Sequence, residues 1–357
     1  MGVRIDAFLE LLVRQRGSDL HLVSDQQPRV RVHGVIETVR FRVLEANELE
    51  RMLSEIMSER HRAEFEKRNA VDFAYETEEL GRFRVNVYRQ ARGPAAAFRA
   101  ISNKLSTLED LGLPAIIPSL IRQPSGLTVV TGPTGSGKST TLAAMIDYLN
   151  ATRRGHILTI EDPIEFRHPF KKCVVTQREV GLHAPTFAEA LRNALHEDPD
   201  VILVGEMRDL ETMGLALTAA ETGAQVFGTL HTNGAVRTID RIVNVFPTER
   251  HELVRTMLAE NLRAVIAQQL VPTATGDGRV AVREILINTP AASATIRSGK
   301  THQLASVMQS GKRLGMMSMD SQLVELVQSG KISIETAQEY AIDKSRTFGG
   351  PTQRDAA

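Results

Sequence analysis

Nine consecutive residues, Gly132-Pro133-Thr134-Gly135-Ser136-Gly137-Lys138-Ser139-Thr140, constrain this chain more than any other feature. An apolar run, Leu127-Thr128-Val129-Val130, precedes them, and a helical pattern from Thr141 to Leu149 follows. The spacing G-x-x-x-x-G-K-[ST] between a strand and a helix is that of a phosphate-binding loop. Glycines ahead of a helix N-terminus present unpaired N–H groups to phosphate oxygens. Lys138 is placed to reach the β- and γ-phosphates, and the Ser139 hydroxyl to hold Mg²⁺. The ligand expected from this pattern is a nucleoside triphosphate.

A chain of 357 residues exceeds what one core usually holds, so two domains are expected. Lys+Arg and Asp+Glu are equal at 43, which removes any global basic field. Aromatic residues make up 4%, too few for a base-stacking platform, so no direct nucleic-acid partner is expected. The single cysteine, Cys173, excludes an internal disulfide and a C-x-x-C zinc site. Its neighbours Val174 and Val175 mark it as a buried thiol. No signal-peptide pattern is visible. No apolar run approaches the roughly 18 residues of a spanning helix. The chain reads as cytoplasmic, without a transmembrane segment.

Residues 3–14 pattern as a helix with Ile5, Phe8, Leu9 and Leu12 on one face. Alternating strands follow at 19–23, 29–33 and 35–39, with a turn at Gly34. One helix with a single buried face is expected over 45–67, then strands at 71–75, 82–89 and 95–101. These form an α+β unit over 1–110. Pro114, Pro118 and Pro124 mark 111–125 as a linker. Over 126–345 the pattern changes. Apolar strands at 127–130, 156–160, 201–204 and 225–230 alternate with helices, as in a sheet covered on both faces. After about Pro247 the chain reads as mostly helical, with a hairpin turn at 276–278. Met316, Met317 and Met319 read as core filling, and 346–357 as a frayed tail.

Open α/β sheets gather ligands at strand C-terminal ends. Glu161-Asp162-Pro163-Ile164-Glu165-Phe166 follows the second core strand, and Gly205-Glu206-Met207-Arg208-Asp209 the third. A carboxylate there can hold Mg²⁺, directly or through water, or orient an attacking water. His231, after the fourth strand, lies at the same edge. Arg82 and Arg84 share a strand face, and Arg99 lies on the next strand. They can face solvent or reach a neighbouring subunit's phosphates as fingers.

Together these segments resemble the secretion and type IV pilus ATPases, and within them the retraction branch. The likeness spans nearly the whole chain: Gly132–Thr140 as Walker A, Ile160–Phe166 as the Asp box, Val201–Asp209 as an atypical Walker B, and Gly228–Thr232 as the His box. Gly181–Pro199 resembles the stretch before Walker B. The resemblance implies an α/β protein, with an N-terminal PAS-like α+β domain followed by a RecA-like P-loop domain with a helical C-terminal region. It implies a homo-hexamer that binds ATP and Mg²⁺ between subunits and drives pilus retraction (twitching motility), peripheral to the inner membrane through a pilus platform protein. Glu206 is implied as the Walker B carboxylate, Glu165 as the group that polarises water, and Glu161 and Asp162 as metal or water support. Arg84 and Arg99 are implied to reach ATP, and His231 and Arg241 to read the γ-phosphate.

One cysteine and the absence of a longer N-terminal region favour the retraction branch over assembly-type relatives. Two departures stand out. The family's retraction stretch survives within Ala291–Ser298 only at Ile296-Arg297, and His196 stands where the family has an arginine. The departures keep open an accessory role beside a paralogous pilus ATPase. A nucleic-acid translocase fits less well.

Overall fold

The computed structural model describes residues 4–32, 34–101, 105–276 and 278–343. The chain divides into two compact units: Met1–Lys104 with Pro163–Arg167, and Leu105–Asp162 with His168–Ala357.

In the first unit α1 (Asp6–Arg14) buries Phe8, Leu9 and Leu12, as its apolar spacing dictates. The strands are β1 (Asp19–Val23), β2 (Arg29–Val32), β3 (Val35–Thr38), β4 (Ala70–Thr77), β5 (Gly81–Gln90) and β6 (Gly93–Ile101). They form an antiparallel sheet in the order β3-β2-β1-β6-β5-β4. Alternate β5 residues Phe83, Val85 and Val87 enter a core shared with the helices. The single helix expected over 45–67 is two, α2 (Ala46–Ile56) and α3 (Glu59–Arg68). Met57 adopts an extended ψ of 130°, and the Ser58 hydroxyl accepts from His61 N at 3.2 Å to start α3. A serine cap makes a new start cheaper than continuation. Gly34 turns between β2 and β3 with φ +87°; its neighbour His33 lies outside the described residues.

The second unit runs α4 (Ile117–Ile121), β7 (Gly126–Thr131), α5 (Lys138–Thr152), β8 (His156–Glu161), β9 (Val174–Glu179), α6 (Phe187–Ala194), β10 (Val201–Val204), α7 (Leu210–Glu221) and β11 (Gln225–Leu230). It continues with α8 (Ala235–Val245), α9 (His251–Asn261), β12 (Leu262–Pro272), β13 (Arg279–Ile287), α10 (Pro290–Arg297), α11 (Leu304–Ser310), α12 (Met319–Gln328) and α13 (Ile334–Tyr340). The sheet order is β13-β12-β7-β11-β10-β8-β9, parallel throughout except for β12 with β13. Leu127, Val129 and Val226 join a core with α7, α8 and α9, whereas Val130 and Phe227 join one with α4 and α5. Successive strand residues point to opposite faces, so continuous apolar strands are what a sheet covered on both sides requires.

Two expectations change here. Residues 111–125, expected as a linker, lie in the second unit, where Ile117, Leu120 and Ile121 are core residues. The mostly helical reading after Pro247 is corrected by β12 and β13, whose long antiparallel ladder adds two strands beside β7. Ala264-Val265-Ile266-Ala267-Gln268-Gln269 in β12 and Arg283-Glu284-Ile285-Leu286-Ile287 in β13 do not alternate, so no sustained period-2 signal announces them. Strand β9, at the sheet edge and half exposed, also has no such signal. Asp277 of the expected turn and residues 346–357 lie outside the described residues. Met316 and Met319 are buried, and Met317 packs against the core around α4 and α5. Among the described residues no helix is long and apolar enough to cross a membrane.

Candidate active site

All six residues of β7 are buried, which fixes the point from which the glycine-rich loop departs. Gly132 has φ +146°, and a Cβ there would meet Gln268 O at 2.1 Å. Only glycine lets the loop leave the strand so close to β12. Gly137, at φ +86°, opens α5, and among the described residues no side chain caps that helix N-terminus. Its first N–H groups are therefore available to an anion. Lys138 folds back over the loop, its Nζ donating to Gly132 O at 2.8 Å and Pro133 O at 3.0 Å. The Ser136 hydroxyl is buried with no hydrogen-bond partner among the described residues, a donor and acceptor set into a loop built for oxygens. Ser139 is exposed on the first turn of α5. Pro133, Thr134, Gly135 and Thr140 complete the loop.

The ends of β11, β10 and β8 succeed that of β7 along one sheet edge. Glu206, just past β10, meets Arg208 Nε at 2.5 Å and His231 Nε2 at 2.8 Å. Burial alone raises the Glu206 carboxyl, but the bond and charge of Arg208, with His231 behind them, hold it below the usual carboxylate range. Glu206 is thus an ionised acceptor at neutral pH. Arg208 is not among the residues expected from the sequence; the available signal is its place two residues after an acid at a strand end.

The strand ends are fixed by hydroxyls. Thr131 Oγ1 lies 2.7 Å from Thr232 Oγ1, which lies 2.7 Å from Thr238 Oγ1 on α8. Buried Glu284 accepts from Ala235 N at 2.7 Å, holding the start of α8. Arg241 is exposed on that helix. Glu161 accepts from Thr159 Oγ1 at 2.7 Å and Gln177 Nε2 at 3.3 Å. Asp162 is exposed, within electrostatic reach of Arg208.

Among the described residues no three His, Cys, Asp or Glu side chains converge as a metal cage, so Glu161, Asp162 and Glu206 do not form one. A serine hydroxyl and a nearby carboxylate are hard oxygen donors, and Mg²⁺ commonly takes few protein ligands with phosphate and water for the rest. The donor set fits that cation.

The remaining expected site residues belong to the first unit. Arg84 on β5 and Arg99 on β6 are cross-strand partners. Arg99 Nε is 2.8 Å from Asp19, and Arg84 Nε 4.0 Å from Asp72. Both arginines are exposed, whereas Arg82 is buried against Glu76 at 3.5 Å. The shared strand face therefore does not make Arg82 equivalent to Arg84. Glu165 is half-buried in the Pro163–Arg167 segment, which also belongs to the first unit; Arg167 there pairs with Glu76 at 2.8 Å. Cys173 is buried, as expected, its thiol donating to Arg153 O at 3.1 Å.

Replacing Glu206 with glutamine (Glu206→Gln) should lower kcat for ATP about 100-fold, the usual scale for a group that handles a proton or orients water. Steady-state turnover measures it, and a change under about threefold would remove Glu206 from the chemistry.

A glycine loop opening a helix on a parallel sheet, with an acid and a histidine at adjacent strand ends, defines the class: a P-loop nucleoside triphosphatase. The family model described as type II/IV secretion system protein matches residues 3–350. The type IV pilus retraction ATPase PilT of Pseudomonas aeruginosa is 51% identical over 337 residues, 94% of this chain and 98% of that protein. The type IV pilus ATPase PilU of the same organism is 41% identical over 339 residues, 95% of this chain and 89% of that one. A solved structure of the pilus retraction motor PilT with bound ADP matches with a TM-score of 0.89 at 45% identity, covering 96% of this chain and 98% of that one. The chain belongs to the type II/IV secretion system family, in its pilus retraction ATPase branch.

Proposed function

We propose that this chain is the ATP-hydrolysing hexameric motor that powers type IV pilus retraction, with a PAS-like domain over 1–110 and a RecA-like domain over 126–345. The observation that carries this is the open phosphate loop beside an ionised Glu206 and His231 on one sheet edge. The 51% likeness to a retraction ATPase supports the biological role. The α5 N–H groups and Lys138 bind and orient the β- and γ-phosphates of ATP. Ser139, with Glu206, Glu161 or Asp162, would hold Mg²⁺, which when bound would neutralise phosphate charge. Glu165 polarises the attacking water. His231 and Arg241 read the γ-phosphate. Arg84 and Arg99 of a neighbouring subunit complete the charge around it. Catalysis is then mostly positioning and electrostatic stabilisation of an in-line transfer to water. Loss of the γ-phosphate releases those cations and biases a packed arrangement, which moves the pilus platform protein. The motor works from the cytoplasmic side of the inner membrane.

A second reading, an accessory ATPase beside a principal motor, is favoured by one feature. Within α10 only Ile296 and Arg297 keep the family's retraction stretch. Deletion of the gene tests both readings. A principal motor gives complete loss of retraction, seen as non-twitching, hyperpiliated cells; an accessory one leaves partial retraction.

A further inference from the structure

The phosphate loop is held from behind by two buried polar residues that its motif does not include. Gln268 on β12 and Arg283 on β13 face each other across the ladder, 2% and 3% exposed. Gln268 Nε2 donates to Ser136 O, inside the loop, at 2.6 Å. Gln268 Oε1 accepts from Thr141 Oγ1 on α5 at 2.9 Å and from Arg283 Nε at 3.2 Å. Two further donors of the Arg283 guanidinium go to Leu111 O at 2.8 Å and Gly112 O at 3.2 Å. Its backbone N–H is taken by Gln322 Oε1 of α12.

Among the described residues Arg283 has no carboxylate partner. Burial without a counter-charge pulls its pKa down to about 10, still protonated at neutral pH. A buried cation held only by neutral acceptors costs stability. Its chemistry shows what it provides in return. An arginine only donates, whereas the Thr141 hydroxyl can donate or accept and a glutamine amide can flip. Arg283 is therefore the group that forces Gln268 to present its oxygen backwards and its NH₂ forwards, onto Ser136 O. A flipped amide would place oxygen against oxygen and release the loop.

We propose that Arg283 and Gln268 form a positioning pair that presets the phosphate loop for nucleotide and ties it to the Leu111–Gly112 segment ahead of α4. The inference rests on the nucleotide-binding reading of the loop. Preorganisation is recovered in binding, so its loss appears in affinity more than in turnover. Each hydrogen bond is worth roughly 2- to 10-fold.

ADP affinity by calorimetry, with KM and kcat for ATP, tests the pair. Gln268→Met and Arg283→Met should each weaken ADP binding and raise KM about tenfold, with kcat falling less than about threefold. The double variant should be no worse than either single one, because the two act as a unit. Arg283→Lys, which still donates, should restore affinity to within about threefold. Should Gln268→Met fail to fold, Thr141→Val removes one bond from the same amide and should raise the ADP Kd about threefold. Folded variants that bind ADP as the unaltered chain does overturn the positioning role. Additive losses in the double variant, or no rescue by lysine, also overturn it. An unaltered chain that binds no ADP overturns the nucleotide reading itself, and the pair's role with it.

Discussion

Lys138→Ala should reduce kcat/KM for ATP about a thousandfold, at the upper end of what one removed electrostatic donor costs at a reacting centre. Lys138 is 9% exposed, and its ammonium donates to the carbonyls of Gly132 and Pro133. Phosphate oxygens arriving at the loop carry the charge those carbonyls lack and accept the stronger, charge-assisted bond. The lysine is thus placed in advance, and little reorganisation is left for the moment of transfer. Alanine removes the charge where negative charge shifts between the β- and γ-oxygens. The loop itself should survive, since its shape is set by glycines at 132, 135 and 137 and by the brace from Gln268. A circular dichroism melt within a few degrees of the unaltered chain, together with lost turnover, is the expected pair of results. Turnover within about tenfold of the unaltered chain would reject the loop as the site of hydrolysis.

Removing both Arg84 and Arg99 should cost about 10³ in kcat, the scale of an arginine finger. Each is exposed, and each rests against one aspartate, Asp72 or Asp19. Asp72 is exposed, and Asp19, though buried, keeps the Ser18 hydroxyl at 2.7 Å and Arg31 at 3.9 Å, so Arg84→Ala/Arg99→Ala should still fold. The two positions are directly opposite on adjacent strands. Like charges so placed repel, and a phosphate between them would relieve the repulsion. Mixing tests whether the arginines act across subunits. Lys138→Ala chains supply intact arginines, and Arg84→Ala/Arg99→Ala chains supply intact phosphate loops. In randomly mixed rings about a quarter of the interfaces pair an intact loop with intact arginines, since head-to-tail rings repeat one heterologous contact. Activity should therefore reappear on mixing two inactive preparations. Mixtures as inactive as their components would place the whole site within single chains and defeat the shared-site proposal.

The parts of the fold legible in the sequence are those whose signal is local. Leu127–Val130 followed by Gly132–Thr140 is a strand, a loop and a helix start within one short stretch of chain. Period-2 alternation marks β1, β2 and β5, and apolar runs mark β7, β8, β10 and β11. Ser58 carries a helix-start signal of its own, with Glu59 opening the new turn, but the helical period running through 45–67 masks it. Strands β9, β12 and β13 are hidden because a half-exposed edge, and adjacent polar pairs such as Gln268-Gln269 and Arg283-Glu284 beside apolar runs, break the alternation.

The sequence by itself determined the phosphate loop, because glycine's positive φ, a helix N-terminus and the lysine of the loop need only neighbouring residues to act together. It also determined which carboxylates, Glu206 and Glu161, stand at strand ends. Only the tertiary structure decided what those groups touch. Parallel strands are paired through long crossovers, so the order of strands along a sheet edge is set by packing both faces and not by the chain's own succession. That order brings His231, from the end of the next strand, onto Glu206. It also sets Gln268, 132 residues after Ser136, against the loop, with Arg283 to hold its amide the right way round.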